Sequence, residues 1–188
     1  DKTGTLTLGE PRVQRVKSIE NVSHKDILQF ASAVEAKSEH PYARAIQAEC
    51  AKEKIQVQTA SDLLVVPGKG VSGNIQRDGK RIQICVGNLV WLYENGFDST
   101  RVPQDLLWDA EGTHETVLWV GADQKIIGLI FLADQLRPGA REVIKEFQDH
   151  DYQAGMITGD AENVAKYFAK ELNLKFFHAG VLPDEKVT

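Results

Sequence analysis

The sequence is poor in everything that would staple or anchor it. Its 188 residues hold only two cysteines, Cys50 and Cys85, far apart and outside any CxxC spacing. That excludes a disulfide framework and a thiolate zinc site, and it fits a reducing compartment. Long apolar runs are missing too. The best candidate, Ile126 to Ala133, is strand-sized, well short of the roughly 18 residues a membrane helix needs. No signal-peptide pattern, internal repeat or low-complexity stretch is legible. Excess positive charge is also absent: the net charge is -5, which argues against nucleic acid or an anionic membrane surface as a general partner.

What remains is ordinary for a soluble globular chain of one large or two small domains. Hydrophobic residues make up 42% and charged residues 26%, so a sizeable core can form.

The stretch that organises the chain is its first seven residues, DKTGTLT. Phosphoryl transfer needs an oxygen nucleophile, backbone N–H donors and a neutralising cation. Asp1 supplies a carboxylate that can act as an aspartyl nucleophile. Gly4 lets the backbone come close, and Thr3, Thr5 and Thr7 offer hydroxyls to phosphate oxygens. A second aspartate at position 3 would act as general acid and base and hydrolyse the acyl phosphate quickly. Thr3 cannot do that at neutral pH, so a phospho-aspartate formed here is expected to live longer.

Along the chain, Pro11 to Val16 reads as a short strand. Ser23 reads as a helix N-cap, with Asp26 three residues on. Ile27, Leu28, Phe30, Ala31 and Val34 give a helical stripe ending near Lys37. Pro41 suits the first turn of a second helix, reaching about Lys54. Leu63 to Val66 is a short apolar run and Pro67 to Gly70 a turn; Val71 to Ile75 and Ile82 to Val86 read as strands joined by an Asp78-Gly79 hairpin turn. A helical turn follows at Leu89 to Tyr93. Ser99 to Gly112 is polar loop with a short helix, and strands Thr116 to Val120 and Ile126 to Leu132 complete an antiparallel sheet flanked by two helices. After Asp134, a helix with Ala140, Val143, Ile144 and Phe147 on one face precedes a buried strand, Ala154 to Ile157. A helix from Asn163 to Leu172 and a strand from Phe176 follow. The alternation predicts a parallel α/β unit with ligands at its strand ends.

Three further spots carry chemistry. In Thr158-Gly159-Asp160, a threonine at a strand end can donate its hydroxyl and N–H to a phosphate oxygen. Gly159 permits a tight turn and Asp160 can cap the next helix. The His40-Pro41 step puts an imidazole just ahead of a helix, where it can stack on or hydrogen-bond to a flat heterocycle. Small residues at Pro67-Gly68-Lys69-Gly70 let a base or phosphate approach the backbone.

The heptad resembles the phosphorylation motif of P-type ATPases, pumps that pass through an aspartyl phosphate. SEHP with PGKG, together with a short middle section lacking a Lys-Gly-Ala-type signature, resembles their heavy-metal subclass. The resemblance implies an α/β phosphorylation domain of the haloacid dehalogenase kind, at residues 1–9 and 128–188, interrupted by an α+β nucleotide-binding domain at 10–127. It implies that Thr158 and Lys186 hold the transferred phosphoryl group. Glu35, His40, Gly68 and Gly70 would line the ATP site, with Gly159 and Asp160 among the cofactor-binding residues. It also implies that Asp134 and Arg137 mark the return into the phosphorylation domain, and that Mg2+ binds Asp1 and the carbonyl of Thr3. The GDGxND motif that completes that magnesium site in the family does not occur here. We therefore expect a cytosolic piece of an integral membrane pump that binds ATP but turns it over poorly. Its partners would be the transmembrane and actuator domains and a heavy-metal ion (copper, zinc, cadmium or cobalt), the choice of ion being unreadable. The alternatives are a soluble dehalogenase-like phosphatase, against which Thr3 speaks, and a non-catalytic nucleotide-binding module.

Overall fold

A computed structural model describes residues 1–181 except 20 and 99. The chain divides into two compact units. One comprises Asp1–Pro11, Glu111–Thr116 and the chain from Ala133 onward; the other comprises Arg12–Ala110 and Val117–Leu132.

The second unit is built on a six-stranded sheet. Its strands are β1 (Arg12–Ser18), β2 (Ser61–Val66), β3 (Gly70–Arg77), β4 (Lys80–Gly87), β5 (Thr116–Ala122) and β6 (Lys125–Ala133), in spatial order β1-β6-β5-β4-β3-β2. The pairings from β2 to β5 are antiparallel. Asp78 and Gly79 both take positive φ, the geometry of a tight hairpin turn that fixes Arg77 opposite Lys80. Asp123 and Gln124 make a second turn of the same hand without any glycine.

Strand alternation sends neighbouring side chains to opposite faces. Ile84, Val86, Ile130 and Leu132 join one core with Ile27, Leu28, Val34 and Ile46, from α1 (His24–Glu35) and α2 (Pro41–Lys52). Cys85, Leu129 and Phe131 join another with Trp91, Leu92 and Leu106, from α3 (Leu89–Glu94) and α4 (Gln104–Gly112). The sheet is thus covered on both faces, not flanked by two helices only. The reason lies in β6, whose unbroken apolar run Ile126–Leu132 is buried throughout and must be covered twice. Ser23 caps α1 as expected: its hydroxyl oxygen accepts the Asp26 N–H at 3.0 Å.

In the first unit, β7 (Gly155–Ile157) and β8 (Phe176–His178) pair in parallel, with α5 (Ala140–Asp149) and α6 (Glu162–Glu171) as its helices. The strand Ile126 to Leu132 sits in the antiparallel sheet as expected, and two parallel strands make up this sheet among the described residues. A small core of Met156, Val164, Ala165, Phe168 and Ala169 packs α6 on this pair. The face of α5 is less covered than its pattern predicts. Ile144 is buried, whereas Val143 and Phe147 are each 49% exposed.

Candidate functional site

The DKTGTLT heptad forms a wide turn. The Asp1 carboxylate accepts the Lys2 N–H at 2.9 Å, and Gly4, at φ 78°, reverses the chain. Thr7 closes the turn: its N–H and hydroxyl both donate to the Lys2 carbonyl, at 3.1 and 3.2 Å. The returning chain clamps this loop from outside. Leu8 N–H donates to the Gln135 carbonyl at 2.9 Å, and the Asp134 carboxylate accepts the N–H groups of Gly9 and Glu10 at 3.2 and 3.3 Å. The Arg137 guanidinium donates to the Gly4 carbonyl at 2.9 Å. Asp134 and Arg137 therefore shape the loop that presents Asp1.

Thr158 lies just past the end of β7 and is buried. Its N–H donates to the His178 carbonyl at 2.9 Å and its hydroxyl to the Asp160 carboxylate. Asp160 does not cap α6. Ala161 holds the N-cap position, where its methyl group can accept no bond, and the Asp160 carboxylate one residue earlier is engaged elsewhere. It pairs with the Lys2 ammonium at 2.9 Å. Gly159 has little room for a side chain, since a Cβ there would lie 3.3 Å from the Val181 carbonyl oxygen. Lys2 thus joins the Asp1 loop to the Thr158-Gly159-Asp160 turn, a connection that sequence reasoning missed. Nothing in the spacing signals it: a lysine in a polar loop ordinarily reads as solvated, and this one is 4% exposed. Lys186, the other phosphoryl candidate, lies outside the described residues.

A cavity of about 640 Å³ opens beside Asp1, with Thr5 and Arg137 as polar lining and Val143, Ile144 and Phe147 as apolar wall. For magnesium, the resemblance names the Asp1 carboxylate and the Thr3 carbonyl. Both are hard oxygens of the kind Mg2+ takes, and an ion held by one carboxylate ordinarily fills its remaining positions with water and substrate phosphate. No cluster of three or more His, Cys, Asp or Glu side chains suited to a metal occurs among the described residues.

The remaining candidates lie in the unit carrying the six-stranded sheet. Glu35 ends α1, and burial pushes its carboxyl above the ordinary 4.5, partly opposed by a hydrogen bond from Ser38. His40 is the N-cap of α2. Its Nδ1 accepts the Tyr42 N–H at 3.3 Å, so the proton of the neutral ring resides on Nε2. Burial, and then the Arg44 charge, push the ring below its ordinary 6.5 and favour that neutral form.

Gly68 and Gly70 share the β2–β3 turn but differ in kind. Gly68 has φ 74° and open space where a Cβ would be, while the Asn88 amide donates to its carbonyl at 3.2 Å. At Gly70, a Cβ would meet the Val86 carbonyl oxygen at 2.2 Å. Gly70 is therefore required by the packing of β3 on β4, whatever else it does. Glu35 and His40 share one turn, and Gly68 and Gly70 another.

With this geometry in view, the chain belongs to the haloacid dehalogenase-like hydrolases, whose pattern matches residues 1–187. Within that class its relatives are heavy-metal pumps. It is 35% identical over 186 residues to the copper-exporting P-type ATPase B of Archaeoglobus fulgidus, covering 99% of this chain and 26% of that protein. It is 33% identical over 187 residues to the zinc/cadmium/lead-transporting P-type ATPase of Escherichia coli, covering 100% and 24%. The chain thus spans about a quarter of the length of these relatives. Among solved structures it is similar to a zinc-transporting PIB-type ATPase, with TM-score 0.69 and 33% identity over 100% of this chain and 29% of that one. The catalytic CPx-ATPase domain CopB-B matches with TM-score 0.67 and 25% identity, over 100% and 61%.

Proposed function

We propose that this chain is the ATP-binding and phosphorylation portion of a heavy-metal-translocating P-type ATPase. The observation that carries the reading is the loop presenting Asp1, held to the Thr158 turn through Lys2, in a chain similar from end to end to such pumps. ATP is held by the unit bearing Glu35, His40 and Gly68. A carboxylate oxygen of Asp1 attacks the γ-phosphorus in line, the bond to the bridging oxygen breaks, and ADP leaves. Thr158 and Lys186 stabilise the charge on the transferring oxygens. Magnesium, when bound at Asp1 and Thr3, neutralises phosphate charge. Water later cleaves the aspartyl phosphate. Because Thr3 supplies no acid or base, that step waits for other parts of the pump, which fits a long-lived intermediate and poor turnover by this portion alone. No helix among the described residues is long and apolar enough to cross a membrane. In this reading the chain is the cytosolic part of an integral membrane protein, working with transmembrane and actuator domains and a transported metal ion.

The test is labelling of the intact pump with γ-labelled ATP in the presence of magnesium and the transported metal. An acyl phosphate is expected in the wild type and none in Asp1→Asn. Undiminished label in Asp1→Asn would refute the assignment.

A further inference from the structure

His40 is held firmly at its backbone. Its N–H donates to the Ser38 hydroxyl oxygen at 3.2 Å, and its carbonyl accepts the Arg44 N–H at 3.2 Å as α2 begins. Gln47 ties α2 back to the end of α1, donating its amide to the Glu35 carbonyl at 2.9 Å. These bonds fix where the His40 side chain starts but leave its χ1 and χ2 torsions to other contacts. Tyr42 supplies two of them. Its N–H donates to His40 Nδ1 at 3.3 Å, a long bond and so a modest restraint. Its ring lies 4.7 Å from the imidazole, centre to centre, with the planes tilted by 53°. That separation falls in the range of about 4.5–7 Å where tilted ring pairs attract, an effect on the order of 3- to 10-fold in an equilibrium constant. Tyr42 can serve as a stop because it is itself anchored: it is half-buried and packs against the core shared by α1, α2 and the sheet. His40 is exposed overall, so it leans on a neighbour less free to move than itself.

We propose that Tyr42 is a positioning residue for nucleotide binding: its anchored ring holds the His40 imidazole in the orientation that meets ATP, so this part of the site is formed before the nucleotide arrives. This rests on the reading of His40 as an ATP residue given above. An imidazole that samples several rotamers must be immobilised when ATP binds, and the lost freedom subtracts from affinity. With Tyr42 in place, that freedom is already given up on folding. The backbone N–H of residue 42 would cap the imidazole whatever side chain stood there, so the ring is what distinguishes tyrosine at this position. Tyr42 acts through His40 and at the binding step. Phosphoryl transfer to Asp1 follows on residues of the other unit, so the ring bears on how much ATP is needed and not on how fast the bound nucleotide reacts.

The test uses the intact pump in membranes, with Tyr42→Leu, Tyr42→Met, Tyr42→Phe, His40→Ala and the double variant His40→Ala/Tyr42→Leu. Leucine and methionine keep an apolar side chain against the core and leave the backbone N–H in place, but remove the ring. The ATP concentration giving half-maximal acyl-phosphate formation is expected to rise about 3- to 10-fold in both, while the maximal rate per folded molecule stays within about twofold of wild type. Tyr42→Phe keeps the ring and should restore half-saturation to within about twofold. In the His40→Ala background, Tyr42→Leu should add nothing, because the group it orients has gone. Wild-type half-saturation in Tyr42→Leu and Tyr42→Met would overturn the proposal. So would a loss in Tyr42→Phe as large as in Tyr42→Leu, which would assign the effect to the hydroxyl. An undiminished effect of Tyr42→Leu in the His40→Ala background would overturn it as well, since Tyr42 would then act on the nucleotide or on the fold directly. Failure of both ringless variants to fold would reduce Tyr42 to a folding residue and have the same consequence. Unchanged half-saturation in His40→Ala alone would instead sink the reading of His40 as an ATP residue, and the role of Tyr42 with it.

Discussion

The two glycines of the β2–β3 turn give a sharp contrast. Replacing Gly70 by alanine brings a Cβ to 2.2 Å from the Val86 carbonyl oxygen, 2.6 Å from Trp91 Cδ1 and 2.7 Å from Gly87 Cα. Two of these neighbours are β4 backbone, held in register by the Gly70–Gly87 pairing, so they cannot rotate aside as a side chain would. Overpacking ordinarily costs about 1–3 kcal/mol. Contacts this far inside van der Waals separation put Gly70→Ala at the top of that range, about 3 kcal/mol or more. At Gly68 nothing lies within 4 Å, so alanine meets only the left-handed backbone penalty of about 1–2 kcal/mol. Urea unfolding followed by tryptophan fluorescence measures both, since Trp91 adjoins Gly70. With a slope of about 2 kcal/mol/M, the Gly70→Ala midpoint should drop by about 1.5 M and that of Gly68→Ala by about half as much. ATP titration of the folded fraction then separates the roles: Gly68→Ala should weaken binding through its open face. If Gly70→Ala proved as stable as Gly68→Ala, the account of how β3 packs on β4 would be wrong.

Two further outcomes follow from the same sheet unit. His40 is held below its ordinary 6.5 by burial and then by Arg44, so the unfolded chain takes up the proton more readily. Its contribution to stability is therefore full above that ordinary value and is lost as pH falls below it, when protonation of Nδ1 also removes the cap on α2. Urea midpoints at about pH 7 and about pH 5.5 should diverge more in the wild type than in His40→Asn, which can cap without titrating there; equal divergence would contradict this. Arg15 donates both arms of its guanidinium to Asp109 and lies 3.6 Å over the Phe131 ring. Arg15→Lys loses the fork and the stacked plane. Since the pair is about one-third exposed, the expected loss is only about 1–2 kcal/mol, and an unchanged midpoint would count against the stacking.

What was legible in the sequence was local. Ser23 and Asp26 announce a cap because both partners lie within one turn, and Asp78-Gly79 announces a hairpin because few dipeptides accept two positive φ angles. The heptad was legible because nucleophile, glycine and hydroxyls are consecutive. What was illegible depends on residues brought together from afar. Asp160 reads as a helix cap until Lys2 arrives from the other end of the chain and takes its carboxylate. Gly70 reads as a ligand glycine until Val86 and Trp91 are seen packed against it. The apolar run of β6 fits either a parallel or a doubly covered antiparallel strand, and only its pairing partners decide.

The bonds of Gly9 and Glu10 to Asp134, and of Leu8 to Gln135, make the outgoing and homeward stretches of chain run side by side where one unit hands over to the other. The anchor points of the inserted stretch are thereby fixed before its length matters. Doubling a flexible excursion adds only about 0.6 kcal/mol of closure entropy. Loops of the stretch between these two moorings, Glu111–Thr116 excepted since it belongs to the first unit, can grow or shrink while the knot, and the acid it displays, stay as they are.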